Sequence, residues 1–264
     1  SSRLVMTYHS DIVRQKTLLR IYEPLLLRVL SRADAIIATS PNYIASSRYL
    51  SRYKDKCTVI PFGVNLAWLG SPDEVKVKSI REKYVAPIVL FVGRFRYYKG
   101  LQYLLEAMQS VEARLLLCGS GPQEPELRAQ VERDGLQQKV IFLGEVEDAD
   151  LPNYYHASDM FAFPACERSE AFGISMVEAM VCGLPVICTD LGTGTTFVNQ
   201  HEVTGLVVPP RDPVALAEAL QRLAKDGVLR RQMALAAGER ARREFGVETM
   251  VDRTIELYRR VLAA

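Results

Sequence analysis

The chain has 264 residues, of which 48% are hydrophobic and 24% are charged, and its formal net charge is +2. These fractions are ordinary for a globular protein of about two domains, so they exclude a disordered or fibrous chain. No apolar run approaches the roughly 18–20 residues of a membrane-spanning helix, and the first residues lack the layout of a signal peptide.

The charge is unevenly distributed along the chain. Residues 1–60 hold ten Lys and Arg against four Asp and Glu, a net charge of +6, and the remaining residues hold 23 against 27, a net charge of −4. A basic block of this kind can face anionic lipid or nucleic acid. The alternative is a solvated face without a partner, and the pattern leaves both open.

Five cysteines, at positions 57, 118, 166, 182 and 188, form an odd set without a Cys-x-x-Cys pair. The spacing predicts neither a disulfide framework nor a metal cluster, and it favours a reducing, cytosolic compartment.

Short apolar, β-branched segments alternate with helical patterns along most of the chain. Strands are predicted over residues 4–9, 35–39, 58–62, 88–95, 114–119, 139–146, 160–164, 185–190 and 205–208. Helices are predicted between many of them, over residues 12–30, 101–109, 124–133, 151–157 and 174–181. This alternation predicts parallel sheets with right-handed crossovers and helices on both faces. The fold class is therefore α/β, with doubly wound, Rossmann-like sheets.

The strands divide into two groups at residues 61–65, and residues 68–87 form a stretch with Gly and Pro that predicts irregular structure. Residues 66–245 hold six strands of a complete second domain, whereas residues 1–65 supply three strands of an incomplete first one. Three helices are predicted to follow the strands, over 213–225, 229–245 and 247–262. The segment 246–264 carries one apolar stripe and is expected to cross back to the first domain.

A sheet of three strands leaves an unpaired edge and uncovered apolar surface. We therefore expect residues 4–6 and 35–37 to be partly uncovered, together with Leu18, Leu19 and other leucines of the 12–30 helix. Self-association through residues 1–60 would cover them. The alternative is a monomer in which this block packs through the last helix.

The first candidate site is the segment 93–100, which directly follows the strand from residue 88. Ligands of doubly wound folds lie at the carboxyl ends of strands, near helix N-termini. Gly93 permits a close approach of the backbone, and Arg94 and Lys99 supply two cations suited to a diphosphate. Two surface cations on a loop are the simpler interpretation.

The second candidate site is the segment 170–178. Glu170 precedes a helix that opens at Gly173, where the backbone N–H groups of Gly173, Ile174 and Ser175 are free to bind an anion. Glu178 lies about one turn inside the same helix. Acidic residues near a helix N-terminus are also common without any ligand.

Three weaker signals accompany these segments. Gly119 and Gly121 follow a strand but do not complete a dinucleotide fingerprint, because position 124 is Glu. Asp148 and Asp150 form an Asp-x-Asp pair before a helix, and this position favours a capping role over a metal site. His9 stands at the carboxyl end of the first strand, where chemistry is more frequent than elsewhere.

Taken together, in this order and spacing, the motifs resemble those of the group 1 (family four) glycosyltransferases, which use nucleotide sugars, have the GT-B fold and retain the anomeric configuration. The resemblance rests on residues 92–94 with 99–100, 119–122, 142–146, 154–159, 170 with 178, 182–186 and 204–209. One loop departs from it: where the family usually has Gly-Gly-x-x-Glu, residues 191–197 are one residue longer and lack the acid.

The resemblance implies a donor site mainly on the second domain. Arg94 and Lys99 would hold the donor diphosphate with the backbone at Gly173 and Ile174, Glu178 the ribose hydroxyls, and Glu170 the sugar hydroxyls. The resemblance also implies that Gly119, Gly121 and Val146 frame the base. His9 would point at the donor sugar. No metal or other cofactor is expected.

The expected function is transfer of a hexose from a GDP- or UDP-linked donor to a glycan or lipid-linked acceptor, with retention, in surface polysaccharide assembly. A donor-binding fragment without transferase activity and a sugar-nucleotide epimerase are the alternatives. The expected location is the cytoplasm, with peripheral contact between the basic block and the anionic inner face of the membrane. No nucleic-acid partner is expected.

Overall fold

A computed structural model describes residues 2–11, 16–85 and 87–263, with the backbone only for residues 16–19. The described residues form two parallel sheets. The first sheet has the order β1-β2-β3 and consists of β1 (Val5–Thr7), β2 (Ala35–Ala38) and β3 (Cys57–Val59). Helix α1 (Lys16–Arg32), helix α2 (Pro41–Ser46) and a 3-10 helix (Leu50–Lys56) connect these strands.

The second sheet has six strands in the order β6-β5-β4-β7-β8-β9. They are β4 (Ile88–Val92), β5 (Arg114–Cys118), β6 (Val140–Gly144), β7 (Met160–Phe163), β8 (Val186–Thr189) and β9 (Gly205–Val208). All nine predicted strands are confirmed, with ends that differ by a few residues. Because the strand order reverses between β4 and β7, a crevice opens outside their carboxyl ends, the usual place for a ligand.

Helices cover both faces of the second sheet. In chain order they are α3 (Leu66–Leu69), α4 (Glu74–Lys83), α5 (Leu101–Met108), α6 (Glu124–Arg133), α7 (Leu151–Ala157), α8 (Ile174–Val181), α9 (Thr195–Val198), α10 (Pro213–Lys225) and α11 (Gly227–Glu244). Alternate residues of one strand serve the two faces: Val89 packs with α5 and α10, and Leu90 packs with α7 and α8.

The prediction of irregular structure over residues 68–87 is wrong for the segment that forms α4. No residue of α4 is buried, and its three apolar residues stand among seven polar ones, so the helix has only a weak apolar pattern. Its start is nevertheless encoded locally, because the Asp73 side chain accepts hydrogen bonds from the backbone N–H groups of Val75 and Lys76.

A twelfth helix, α12 (Val247–Ala263), packs against the first sheet. Leu257 and Val261 contact Ala35 and Ile37 on one face of β2, while Ile36 faces the opposite side, among residues of α1 and α2. The expectation that residues 35–37 are uncovered is therefore wrong: none of them is more than 6% exposed.

Other parts of the expected apolar patch have different outcomes. Residues 4–6 are half-buried on the edge strand. Residues 12–15 of the predicted helix and the side chains of Leu18 and Leu19 lie outside the described residues. Self-association through residues 1–60 stays a prediction.

The chain passes twice between the two sheets, and the two passages lie side by side. Val64 N–H donates to the carbonyl of Phe245 at 2.8 Å, and Val247 N–H donates to the carbonyl of Val64 at 3.1 Å. A side chain at Gly63 has no room, since a Cβ there would lie 2.5 Å from Val247 Cα. The two covalent connections thus form one compact junction.

Candidate active site

A cavity of about 520 Å³ opens between the two sheets, at the carboxyl ends of β1 and β4. The first sheet contributes residues that follow β1 and β3. The second sheet contributes the end of β4 with the segment after it, and the first turns of α8 with the loop before it. The lining residues are His9, Ser10, Phe62, Val92, Gly93, Lys99, Ser169, Glu170, Ala171, Phe172, Gly173, Ile174, Ser175 and Glu178. Both sequence-predicted segments therefore meet at one cavity, opposite His9.

Lys99 and Glu170 form an ion pair in this cavity, with 2.6 Å between Nζ and Oε2. Each side chain is only 12% exposed, and Lys99 Nζ also lies 4.8 Å from the centre of the Phe163 ring. Lys99 ends a 3-10 turn (Tyr97–Lys99), and the carbonyl of Glu170 accepts a hydrogen bond from Thr193 Oγ1 at 2.9 Å. A cation and a carboxylate are thus held together beside the opening of α8.

The N-terminus of α8 depends on a glycine. Gly173 has a φ of +89°, and a Cβ there would lie 2.6 Å from Met176 Cε. No side chain caps the helix. The Met176 N–H donates to the carbonyl of Gly173 at 3.0 Å. The N–H groups of Ile174 and Ser175, the first two residues of the helix, have no carbonyl of the helix to donate to, and both residues line the cavity. This end of α8 can accept an anion.

Glu178 lies in the same helix, and its Oε2 accepts a 2.8 Å hydrogen bond from the hydroxyl of Tyr155. Burial raises the pKa of the Glu178 carboxyl, and the hydrogen bond from Tyr155 opposes this rise. Burial also raises the pKa of Tyr155 well above its ordinary value, so the hydroxyl stays a donor. The sequence alone predicts no role for Tyr155, because its partner Glu178 is 23 positions away.

His9 lines the cavity from the side of the first sheet, where its ring packs against a row of aromatic rings. Its ring centre lies 5.8 Å from that of Phe62, which in turn lies 5.4 Å from that of Phe172. These edge-on contacts place residues of both sheets against one another at the cavity wall.

Arg94, Gly119, Gly121 and Val146 are not among the lining residues. Arg94 is exposed. The loop that contains Gly119 borders the cavity through backbone contacts: Gly93 N–H donates to Cys118, and Phe95 N–H donates to Ser120 at 2.7 Å. The assigned roles of these four positions stay predictions.

The expected capping by Asp148 and Asp150 is wrong. Asp150 precedes α7, but its side chain makes no capping hydrogen bond and instead pairs with Lys76 at 2.5 Å. The Asp148 carbonyl accepts from Trp68 Nε1. Within the described ranges, no group of three His, Cys, Asp or Glu side chains is arranged to hold a metal ion.

Known proteins place the chain in a family. The model of the family described as glycosyl transferases group 1 matches residues 73–242. The O-antigen chain mannosyltransferase C of Escherichia coli is 40% identical over 265 residues, 99% of this chain and 70% of that protein. The D-rhamnosyltransferase WbpZ of Pseudomonas aeruginosa is 44% identical over 219 residues, 83% of this chain and 57% of that protein. The chain belongs to the group 1 glycosyl transferase family.

Solved structures share the fold. A sucrose-phosphate synthase from Thermosynechococcus elongatus matches with a TM-score of 0.84 and 33% identity, over 98% of this chain and 68% of that one. Anabaena HepE, solved with UDP-glucose, matches with a TM-score of 0.83 and 25% identity, over 97% and 72% of the two chains. The predicted GT-B fold is confirmed. Among the described helices, none is long and apolar enough to span a bilayer.

Proposed function

We propose that the protein transfers a hexose from a nucleotide-diphosphate sugar to a glycan or lipid-linked acceptor, with retention of the anomeric configuration. The observation that carries this proposal is the joint presence of Lys99, Glu170, Glu178 and the open end of α8 in one cavity that faces His9. These groups match in kind the parts of a nucleotide sugar: a cation and a helix N-terminus suit the diphosphate, and two carboxylates suit the hydroxyl groups of the hexose and the ribose on either side of it.

The diphosphate is the leaving group, and it gains negative charge as the glycosyl bond breaks. Lys99, Ile174 and Ser175 line the cavity. We propose that Lys99 Nζ and the backbone N–H groups of Ile174 and Ser175 face that developing charge. Fixed donors of this kind stabilise a transition state strongly, because they need no reorganisation during the reaction. We propose that Arg94, which follows Gly93, reaches the same diphosphate when the donor is bound.

The two carboxylates receive separate roles. Glu170, held by Lys99, is proposed to accept hydrogen bonds from hydroxyl groups of the donor sugar, and Glu178 from the two ribose hydroxyls. Gly119, Gly121 and Val146 would frame the base. For retention, the acceptor oxygen attacks from the face that the diphosphate leaves: the new glycosyl–oxygen bond forms, the glycosyl–phosphate bond breaks, and the acceptor proton passes to the departing phosphate.

The names of the relatives favour a mannose- or rhamnose-type donor sugar and an O-antigen-like, surface-polysaccharide acceptor. We propose that GDP or UDP carries this sugar. We propose a cytoplasmic protein that touches the anionic inner face of the membrane. Exposed apolar residues of α1 support this contact, since Ile21 is 76% and Leu25 is 56% exposed on a helix that also carries Arg20 and Arg28.

The test is a calorimetric titration with GDP- and UDP-linked hexoses, run beside a turnover assay that reports the anomeric configuration of the product. Binding of one donor with retained transfer is the expected result. A second candidate function is donor binding without transfer. It is favoured because the chain spans only 70% of the length of the E. coli relative and 57% of the length of the P. aeruginosa relative. Binding without turnover would support it.

A further inference from the structure

The loop over residues 191–197, in which the sequence departs from the family pattern, contacts the loop that carries Glu170. Thr193 Oγ1 donates to the carbonyl of Glu170, and Gly194 N–H donates to the carbonyl of Ala171 at 2.8 Å. Thr193 is fully buried. These two contacts fix the backbone carbonyls of Glu170 and Ala171.

Arg168 joins the same two loops to the first sheet. Its Nη1 donates to the carbonyls of Leu191 and Gly192, at 3.1 and 3.3 Å. Its Nη2 donates to Ser46 Oγ at 3.0 Å and to the Ser46 carbonyl at 3.3 Å. Because Ser46 ends α2, one guanidinium connects the first sheet with the two loops beside the cavity. A planar fork of donors suits such a multiple contact, and an ammonium group does not.

Two further hydrogen bonds cross between the sheets at this point. Ser46 Oγ donates to the carbonyl of Gly192 at 2.5 Å, and Asn42 Nδ2 donates to Thr196 Oγ1 at 3.0 Å. We call the contacts among Asn42, Ser46, Arg168 and the loop 191–196 the Arg168 clamp.

The clamp continues to the loop that carries His9. Asp11 Oδ2 lies 3.9 Å from Arg168 Nη2. The other oxygen, Oδ1, accepts hydrogen bonds from Ser47 Oγ at 2.7 Å and from the Tyr8 hydroxyl at 2.9 Å. Arg168, which belongs to the loop that carries Glu170, therefore also lies against the loop that carries His9.

We infer that Arg168 is a positioning residue: it holds the two sheets closed and thereby sets the distance between His9 and Glu170 across the bound sugar. Arg168 does not itself line the cavity. The inference rests on the proposed function for its catalytic consequence only. The claim that the clamp holds the sheets together does not depend on that function. The covalent connections between the sheets lie at the junction of Val64 and Phe245, and the clamp joins the sheets at a second place.

The experiment compares Arg168→Lys and Ser46→Ala with the unchanged chain. Arg230→Lys is the matched control, since Arg230 also donates to two carbonyls, of Leu223 and Ala224, and lies 3.9 Å from an aspartate. None of the contacts described for Arg230 reaches the first sheet. Small-angle scattering gives the radius of gyration, calorimetry gives the affinity for UDP and GDP, and steady-state kinetics gives kcat and KM.

We expect both clamp variants to have a larger radius of gyration, with unchanged affinity for the preferred nucleoside diphosphate and a kcat reduced by up to about 100-fold, the scale of an ångström-sized misplacement. Arg230→Lys should change none of these. An unchanged radius in both clamp variants, or a loss of nucleotide affinity as large as the loss of kcat, overturns the inference. If the unchanged chain binds no nucleotide, the proposed function fails, while the scattering result still decides on the clamp.

Discussion

The Tyr155 hydroxyl donates to Glu178 Oε2 at 2.8 Å from a side chain that is fully buried. This bond orients a carboxylate that also lines the cavity, so we expect Tyr155 to affect ligand binding without lining the cavity itself. Removing the hydroxyl with Tyr155→Phe should weaken nucleoside diphosphate binding roughly tenfold, because a hydrogen bond to a charged group contributes about 1.5–3 kcal/mol. Calorimetry measures the change.

Tyr154→Phe is the control for this variant. Tyr154 is the preceding residue of α7, it is only partly buried, and among the described contacts its hydroxyl makes no hydrogen bond. Equal losses of affinity in both variants would contradict the assigned role of Tyr155.

The pH dependence of binding follows from the raised pKa of Glu178, which burial causes. The neutral form of Glu178 is more favourable in the folded chain than in the unfolded one. The contribution of this group to folding stability is therefore fully present below the ordinary glutamate pKa, and it is lost as pH rises through the raised pKa. Ribose binding needs the carboxylate and has the opposite trend. Nucleotide affinity should therefore fall when the solution is made mildly acidic, and Glu178→Gln should bind weakly at every pH. An affinity that is independent of pH in the unchanged chain would contradict this.

Lys99→Met should lower turnover by roughly 10²–10³, the loss expected when one transition-state charge partner is removed. The variant keeps most of the side-chain volume beside Phe163 and leaves Glu170 without its ion pair. Lys78→Ala, at a side chain that is 78% exposed, is the control and should retain full activity. Near-normal turnover of Lys99→Met would show that this cation does not serve the leaving group. Arg94→Ala, measured in parallel, tests the second predicted cation.

Donor binding should be insensitive to chelation, because Lys99 and the N-terminus of α8 are proposed to take the place of a divalent ion. Titration with the preferred nucleotide sugar in EDTA, and then in excess magnesium or manganese, checks this. A large loss in EDTA that either metal restores would revive Asp148 and Asp150 as a metal site.

The packing of α12 on β2 predicts a local effect of mutation. Leu257 is 2% exposed, so Leu257→Ala should destabilise the first sheet by about 2–5 kcal/mol. Leu262 is 73% exposed, and Leu262→Ala should change the stability little.

The reactivity of two cysteines tests whether this effect is local. Burial raises the pKa of Cys57 in β3, next to β2, and raises that of Cys188 in the second sheet to about 12. A thiol reagent should modify Cys57 faster in Leu257→Ala, while Cys188 stays protected; equal acceleration of both would argue against a local effect.

Most of the strands were predictable because they are short apolar runs covered on both faces, as Leu116 and Leu117 of β5 show by packing on opposite sides. Helix α4 was not predictable from periodicity, since it buries no side chain. Lys99, Glu170 and Glu178 were found because they stand near the start of a helix or after a strand. Arg168 was missed because its partner Ser46 is 122 positions away, a distance that local spacing does not encode.

Because of the position of α12, the first sheet is synthesised early but can be completed only late in folding. β2 packs on Leu257 and Val261, and Arg260 Nη2 donates to Thr58 Oγ1 across 202 positions of sequence. A ribosome that has released residues 1–65 has therefore produced a sheet with one apolar face still open to water. That face stays open while the whole second sheet is made, because α12, which covers it, follows the second sheet in the sequence. Domains otherwise tend to fold as they emerge from the ribosome. During this interval the early strands are the part of the chain most in need of protection from aggregation.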